Sequence, residues 1–336
     1  FDELERRLHS QRNRRVKPMA SGLMVMERYR RTGMPSVGTP DARDRIDEGC
    51  YLKGKALIAS AEGAGATGRL YEKLYGRRVP FEKNTDMASL TGHNDWIAII
   101  HADGNGLGEV VAEIGKDPDR MRQFSLDLDR ATILSAQAAC RECVGDCDEL
   151  LVRPVVIGGD DLTVVCRASV AVDFVCSYLR NFETNSRNIV RHELTACAGI
   201  AFIKSSYPFS YGYELAETLC GVAKKDAKRE DVKCANGGKA PSCLMFHKVQ
   251  SSFVEDYSVI TDKELTASDG CLFRFGPYYL AEQDDRWTID KLQCNADILS
   301  LESNNVIKTS VREWMTLMGE SRNLALQKEN RVKMLD

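Results

Sequence analysis

The apolar run LLVRPVVI (150–157) meets the run LTVVC (162–166) across only Gly158-Gly159-Asp160-Asp161. Two apolar strands joined by so tight a turn are a hairpin, and its glycines tolerate backbone angles that other residues resist. Pro154 has no amide hydrogen to give to a ladder, so it fits an edge strand or a bulge. Upstream, WIAII (96–100) is a continuous apolar run, as expected of a strand buried on both faces, and it ends in the glycine-rich HADGNGLG. Phe124, Leu128, Ala131, Leu134 and Ala138 then recur at three- and four-residue spacing, which predicts a mainly helical stretch from about 107 to 139, interrupted at Asp117-Pro118. Downstream come a helix-like stretch with Val172, Val175, Leu179 and Phe182, strand-like LTACAGIAFI (194–203), helix-like YELAETLCGVAKKDAK (213–228) and strand-like CLMF (243–246).

The element order is therefore β-α-β-β-α-β, then α-β. It begins with the split βαβ unit of ferredoxin-like folds, in which strands distant in the chain become neighbours and their ends converge. The fold class expected is α+β, a ferredoxin-like palm at 91–250 between a polar, Arg-rich N-terminal region at 1–90 and a mainly helical C-terminal domain at 251–336. AEGAGATG (61–68) has the composition of a flexible linker. The length of 336 residues suits two or three packed units, and no window approaches the eighteen or more apolar residues of a membrane helix. The first residues lack both a signal peptide and an initiator Met, so a longer parent chain is allowed. Twelve scattered cysteines without a secretory signal read as reduced thiols, and the cytoplasm is the expected location. The net charge of −3 hides two basic clusters, one at Arg6, Arg7, Arg12, Arg14, Arg15 and Lys17, the other at Lys224, Lys225, Lys228 and Arg229.

Acidic turns after the first strand and within the hairpin are what a two-metal phosphoryl-transfer site requires. Two Mg²⁺ (or Mn²⁺) ions about 3.5–4 Å apart lower the pKa of an attacking hydroxyl and neutralise charge on the α-phosphate and on departing pyrophosphate. Carboxylate oxygens are the natural ligands of so hard a cation, which singles out Asp103, Asp160 and Asp161. Asp160 and Asp161 are consecutive, so on an extended backbone their side chains point to opposite faces, and one of them can bind metal while the other does not. Gly104, Gly106 and Gly108 leave amides unobstructed at a helix start, where phosphate is favoured. That makes the loop Gly104-Asn105-Gly106-Leu107-Gly108, together with Gly158 and Gly159, the expected nucleotide-binding backbone. An ammonium from Lys224 or Lys225 is expected to reach the β- and γ-phosphates.

At these residues the sequence resembles the palm domain of the type III CRISPR large subunit, the polymerase-cyclase family of the Csm and Cmr effector complexes (Cas ten). The family's D-G-D-G-M-G-like turn is matched by Asp103-Gly104-Asn105-Gly106-Leu107-Gly108, and its G-G-D-D hairpin by Gly158-Gly159-Asp160-Asp161. CAGIAFIKSSYPF followed by ELAETLCGVAKKDAK resembles the family's strand, proline-containing turn and lysine-bearing helix, and the likeness covers about 95–246. The resemblance implies joining of ATP, or another NTP, into cyclic oligonucleotides, with metal held by Asp103, Asp160 and Asp161, in antiviral signalling. It also implies a CRISPR effector or RNA activator as partner, while minimal stand-alone members and the more distant GGDEF cyclases share the palm. Three departures stand out. Asn105 replaces the second acid of the first motif, no His-Asp pair of an HD nuclease occurs, and the N-terminal 90 residues are too short for a further palm and hold only Cys50.

Cys140, Cys143 and Cys147 have metal-like spacing but lack an evident fourth ligand, so packed or solvated thiols at a helix end are the simpler reading. His101 beside the first acidic turn reads as a packed or hydrogen-bonded strand residue, and His9, His93, His192 and His247 offer no partner pattern. The expected mechanism is in-line attack of a 3′- or 2′-oxygen on an α-phosphate, with Lys224 or Lys225 stabilising the leaving charge and no side-chain general base. A second copy of the chain, as a homodimer, or another domain is expected to present the acceptor. The alternative is a catalytically silent nucleotide-binding palm acting as sensor or scaffold, for which Asn105 is the best support. A template-dependent polymerase is disfavoured because no extended basic and aromatic channel is visible.

Overall fold

The computed structural model describes residues 2–13, 27–30, 32–37, 46–61, 65–80, 87–92, 94–145, 149–250, 256–266, 270, 272–282, 286–320 and 322–333. Ahead of the palm come α1 (Asp2–Arg12), the small ladder of β1 (Ser36–Val37) with β2 (Ile46–Asp47), α2 (Glu48–Ala61) and α3 (Ala66–Tyr75). The palm itself follows the predicted order: β3 (Trp96–Gly104), α4 (Leu107–Ile114), α5 (Pro118–Val144), β4 (Val152–Gly158), β5 (Asp161–Arg167), α6 (Ala171–Asn185), β6 (Ala196–Lys204), α7 (Phe209–Ala227), α8 (Glu230–Ala235) and β7 (Cys243–Lys248). Then come α9 (Tyr257–Lys263), β8 (Tyr278–Tyr279), α10 (Ile289–Ser300), α11 (Asn305–Glu320) and α12 (Arg322–Lys333).

Six strands form one sheet in the order β4-β5-β3-β6-β7-β8. β3 is antiparallel to both β5 and β6, and β4 lies beyond β5, which is the split βαβ arrangement expected from the sequence. Side chains alternate across the sheet, and both faces are covered. Ala98, Ile100 and Ala102 pack with Leu128 of α5 and Phe174 and Leu179 of α6 on one face. Ile97 and Ile99 pack with Leu215, Ala216 and Leu219 of α7 on the other. A strand with apolar neighbours on both sides reads as a continuous apolar run, which is why WIAII was legible. Asp117 caps α5 by accepting from the amides of Asp119 and Arg120, with Pro118 in the first turn, so the predicted interruption is a boundary between two helices.

Pro154 lies on the edge strand β4, at a register shift between Pro154 and Val156, so both expectations for it hold. That edge is partly covered by α3, whose Tyr71 and Leu74 are buried. The hydroxyl of Tyr75 donates to the carbonyl of Val152 at 2.7 Å and accepts from its amide at 3.3 Å, occupying groups an edge strand would leave free. The linker reading of 61–68 needs correction: residues 62–64 lie outside the described residues, but Ala66, Thr67 and Gly68 open α3 with Gly65 as its N-cap. β8, two residues long, was missed, because two tyrosines carry no period; it pairs with β7, Tyr279 opposite Cys243. The described cysteines are free thiols, and no described helix is long and apolar enough to cross a membrane.

Candidate active site

The register of β3 against β5 sets Ala102 opposite Leu162, so Asp103 and the turn that opens β5 meet at one end of the sheet. Gly158 pairs with Asp161 across the hairpin, leaving Gly159 and Asp160 as the two turn residues. Gly159 has φ 62°, a left-handed value that glycine adopts without strain, and its carbonyl accepts from Thr132 Oγ1 of α5 at 2.5 Å. The carboxylate oxygens of Asp103, Asp160 and Asp161 lie within 4.8 Å of one another. Both hairpin acids join the group because Asp160 is in the turn, where the alternation of an extended strand does not apply. Close approach also depends on Gly104. A Cβ there would stand 2.7 Å from Leu107 Cδ1 and 3.0 Å from Asp160 Cβ, driving the turn away from β3.

The carboxylates repel, and their titration reflects it. Burial, then the charges of Asp161 and Asp103, holds the Asp160 carboxyl above the usual range. Burial and the charge of Asp103 raise Asp161 too, opposed by His101 and Lys224. Such a group is completed by a cation. In this structure the cation is the ammonium of Lys224 on α7, whose Nζ donates to Asp103 Oδ2 at 2.5 Å and to the Gly104 carbonyl at 2.7 Å. Lys225, about 100° further round the helix, is exposed. His101 is on the same face of β3 as Asp103 and is hydrogen-bonded to Thr163 Oγ1 at 3.0 Å, the packed environment expected of it.

Asn105 faces elsewhere. It is 3% exposed, its amide N–H donates to the Thr195 carbonyl at 2.7 Å, and its Nδ2 donates to Thr195 Oγ1 at 3.1 Å. Thr195 Oγ1 in turn donates to the Ala240 carbonyl at 2.6 Å. An Asp at this position has no donor to offer a hydroxyl whose proton is already committed, and its charge would be buried. Asn105→Asp is therefore expected to cost about 2 kcal/mol or more, lowering the melting temperature by several degrees at roughly 2–4 °C per kcal/mol. It should bring no gain in metal affinity; a variant as stable as the parent with tighter Mn²⁺ binding would show that position 105 serves the acidic group after all.

Behind the loop lies a cavity of about 600 Å³ lined by Gly106, Gly108, His192 and Thr195 and by three lysines, Lys228, Lys233 and Lys239. α4 opens into it with Gly106 at its N-cap, φ 77°, and no side-chain cap, so the first amides of the helix are left to a ligand. Sequence reasoning missed Lys233 and Lys239, which come from α8 and the loop before β7, and it missed Glu217, whose charge also raises Asp161. Glu217 and Lys224 are two turns apart on one face of α7, the signal that would have found it. Of the cysteine triplet, Cys147 lies outside the described residues. Burial pushes the Cys140 thiol up to about 12 and Cys143 up to about 11, keeping both protonated in the metal-free protein.

Residues 96–233 match the family model described as Cas10/Cmr2, second palm domain. This stretch is thus similar to the palm of the type III CRISPR large subunit. The match begins on the first residue of β3 and ends within α8. No curated protein matches the chain. Among solved structures, Csm1 of T. onnurineus is 17% identical over 43% of this chain and 21% of its own, with a TM-score of 0.33. A Csm1-Csm4 cassette in complex with pppApA is 16% identical over 46% of this chain and 22% of its own, with a TM-score of 0.34. A third, in complex with cA3, is 15% identical over 52% and 22%, with a TM-score of 0.33. The chain thus spans about a fifth of the length of these Csm1 chains.

Proposed function

We propose that this palm is a divalent-metal-dependent nucleotidyltransferase that joins NTPs, ATP by family resemblance, into cyclic oligonucleotides. The observation that carries the reading is the group of three carboxylates within 4.8 Å, seated beside an uncapped helix N-terminus and a lysine-lined cavity. The donor set suits Mg²⁺ or Mn²⁺: carboxylate oxygens of Asp103, Asp160 and Asp161, with the Gly104 carbonyl already engaged by a cation, the Lys224 ammonium. When bound, the metal supplies a lowered pKa at the attacking hydroxyl and neutralises charge on the phosphates.

The protein's own groups do the rest. The amides opening α4 orient the triphosphate, and Lys228 offers its β- and γ-oxygens positive charge in the adjoining cavity, joined by Lys233 and Lys239 from their pairs with Glu230 and Glu193. An acceptor 3′- or 2′-oxygen, from a nucleotide presented by a second copy or a further domain, attacks the α-phosphorus. A new O–P bond forms as the bond to pyrophosphate breaks, and the hydroxyl proton leaves to solvent. The silent-palm alternative rested on Asn105, and that side chain is bonded to Thr195 rather than turned to the acids. Antiviral signalling, an RNA or effector activator and a cytoplasmic site belong to this same reading.

The test is incubation of the purified chain with each radiolabelled NTP and Mg²⁺ or Mn²⁺. Oligonucleotide products from at least one NTP are expected, with their loss in Asp160→Asn/Asp161→Asn. Absence of product in every condition, supplied activators included, would sink the enzyme reading. Product formation undiminished in the double variant would sink the site.

A further inference from the structure

Lys224 lies against the first acid of the candidate metal site. Its Nζ touches a carboxylate oxygen of Asp103 and the carbonyl of the next residue, two hard oxygen ligands from the end of β3, within the group completed by Asp160 and Asp161. Both contacts are at the short end of charge-assisted hydrogen bonds. The ammonium therefore engages Asp103 Oδ2 and the Gly104 carbonyl, two of the oxygens open to a divalent ion at this site. A divalent ion taking the same oxygens would stand against the ammonium, and like charges at that distance in a half-buried site repel strongly.

The backbone that carries the lysine is fixed. Two residues on, Asp226 Oδ2 accepts from Tyr279 Oη at 2.5 Å and from Arg286 Nη1 at 2.8 Å, and Arg286 Nη2 donates to Asp231 at 2.8 Å. The end of α7 is thus held by the β8 segment, and α7 is seated so closely on β6 that a Cβ on Gly199 would stand 2.0 Å from the Ala216 carbonyl. What can move is the long side chain of Lys224, four methylenes with rotatable bonds. The residue next to it, Lys225, is exposed and serves as a built-in reference.

We infer that Lys224 is a resident counter-cation, an exchange latch that offsets part of the charge of the acidic group in the metal-free protein and is displaced when a divalent ion binds. The latch rests on the metal-site reading above. Metal binding costs the Lys224 contacts, and the expelled ammonium becomes available to an incoming anion beside the same turn. A cation is therefore present in both states and offsets part of the charge of the three clustered carboxylates, which would otherwise splay the hairpin from β3 before substrate arrives.

Two measurements without nucleotide test it. Mn²⁺ titration followed by the loss of free-ion EPR signal should give Lys224→Met on the order of tenfold tighter binding than the parent, with Asp161→Asn weakening binding in both backgrounds. In the parent chain, which needs no variant to fold, reductive methylation read by mass spectrometry should label Lys224 several-fold faster when saturating Mn²⁺ is present, with Lys225 unchanged. Unchanged or weaker Mn²⁺ binding in Lys224→Met, or Lys224 labelling that ignores Mn²⁺, would overturn the latch while leaving the metal site standing. Failure of parent and variant alike to bind Mn²⁺ would overturn both.

Discussion

Asp103→Asn is expected to lower the rate of nucleotide joining by about three orders of magnitude, equivalent to about 4 kcal/mol of transition-state stabilisation. Asp103 is the single acid in its turn and the one that links β3 to the hairpin, whereas Asp160 and Asp161 are consecutive. Loss of its charge removes a hard oxygen ligand and also the partner of Lys224, contacted at 2.5 Å. Stability should respond differently. Asp160 and Asp161 are both raised by burial and by the Asp103 charge, so in the metal-free protein their contribution is present below the ordinary carboxylate range. It is lost as pH rises through their raised values. Asn at 103 relaxes that shift, so the variant should lose less stability than the parent between pH 4 and pH 7. The measurement is an initial-rate comparison at saturating Mg²⁺, paired with melting temperatures at the two pH values. A variant retaining more than a tenth of the parental rate would show that Asp103 is not a ligand on which turnover depends.

The parts of this site that were legible share a local cause. A hairpin announces itself in four consecutive residues, because the chemistry of a tight turn is confined to the turn. Asp103 followed from one apolar run ending in one glycine-rich loop, and Pro154 from its missing amide. What escaped notice is set by contacts between distant segments. Lys224 meets Gly104 across 120 residues of chain, through the seating of α7 on β6. Asn105 reads locally as a lost ligand, but its amide is bonded to Thr195, 90 residues along the chain and itself bonded to the Ala240 carbonyl. The Asp226 clamp needs Tyr279 and Arg286 from a segment whose strand is two residues long. A motif gives the residue types; which way each side chain turns is decided by packing that no local pattern encodes.

Gly199→Ala carries the largest expected effect on stability. Gly199 lies mid-way along β6, opposite His101 of β3 and Met245 of β7, on the face against which α7 packs. An added Cβ would stand 2.0 Å from the Ala216 carbonyl oxygen and 2.5 Å from the Cys220 amide nitrogen. Both are helix backbone atoms, so no rotamer change relieves the clash, and α7 must lift by about 1 Å along the seam that buries Leu215, Ala216, Leu219, Cys220 and Ala223. Overpacking a sheet–helix seam against rigid backbone is expected to cost about 3 kcal/mol or more, at or beyond the upper end of measured overpacking. The same shift would carry Lys224 off Asp103, coupling the fold of this face to the acidic group. Gly221→Ala, on the same helix with nothing within 4 Å of the added Cβ, is the control. There alanine replaces glycine in an open helix position and should stabilise by roughly 0.5–1 kcal/mol. Urea midpoints for the two variants should therefore move in opposite directions. If Gly199→Ala unfolds at the parental midpoint, α7 does not sit on β6 as closely as described, and the Lys224 contact with Asp103 loses its structural basis.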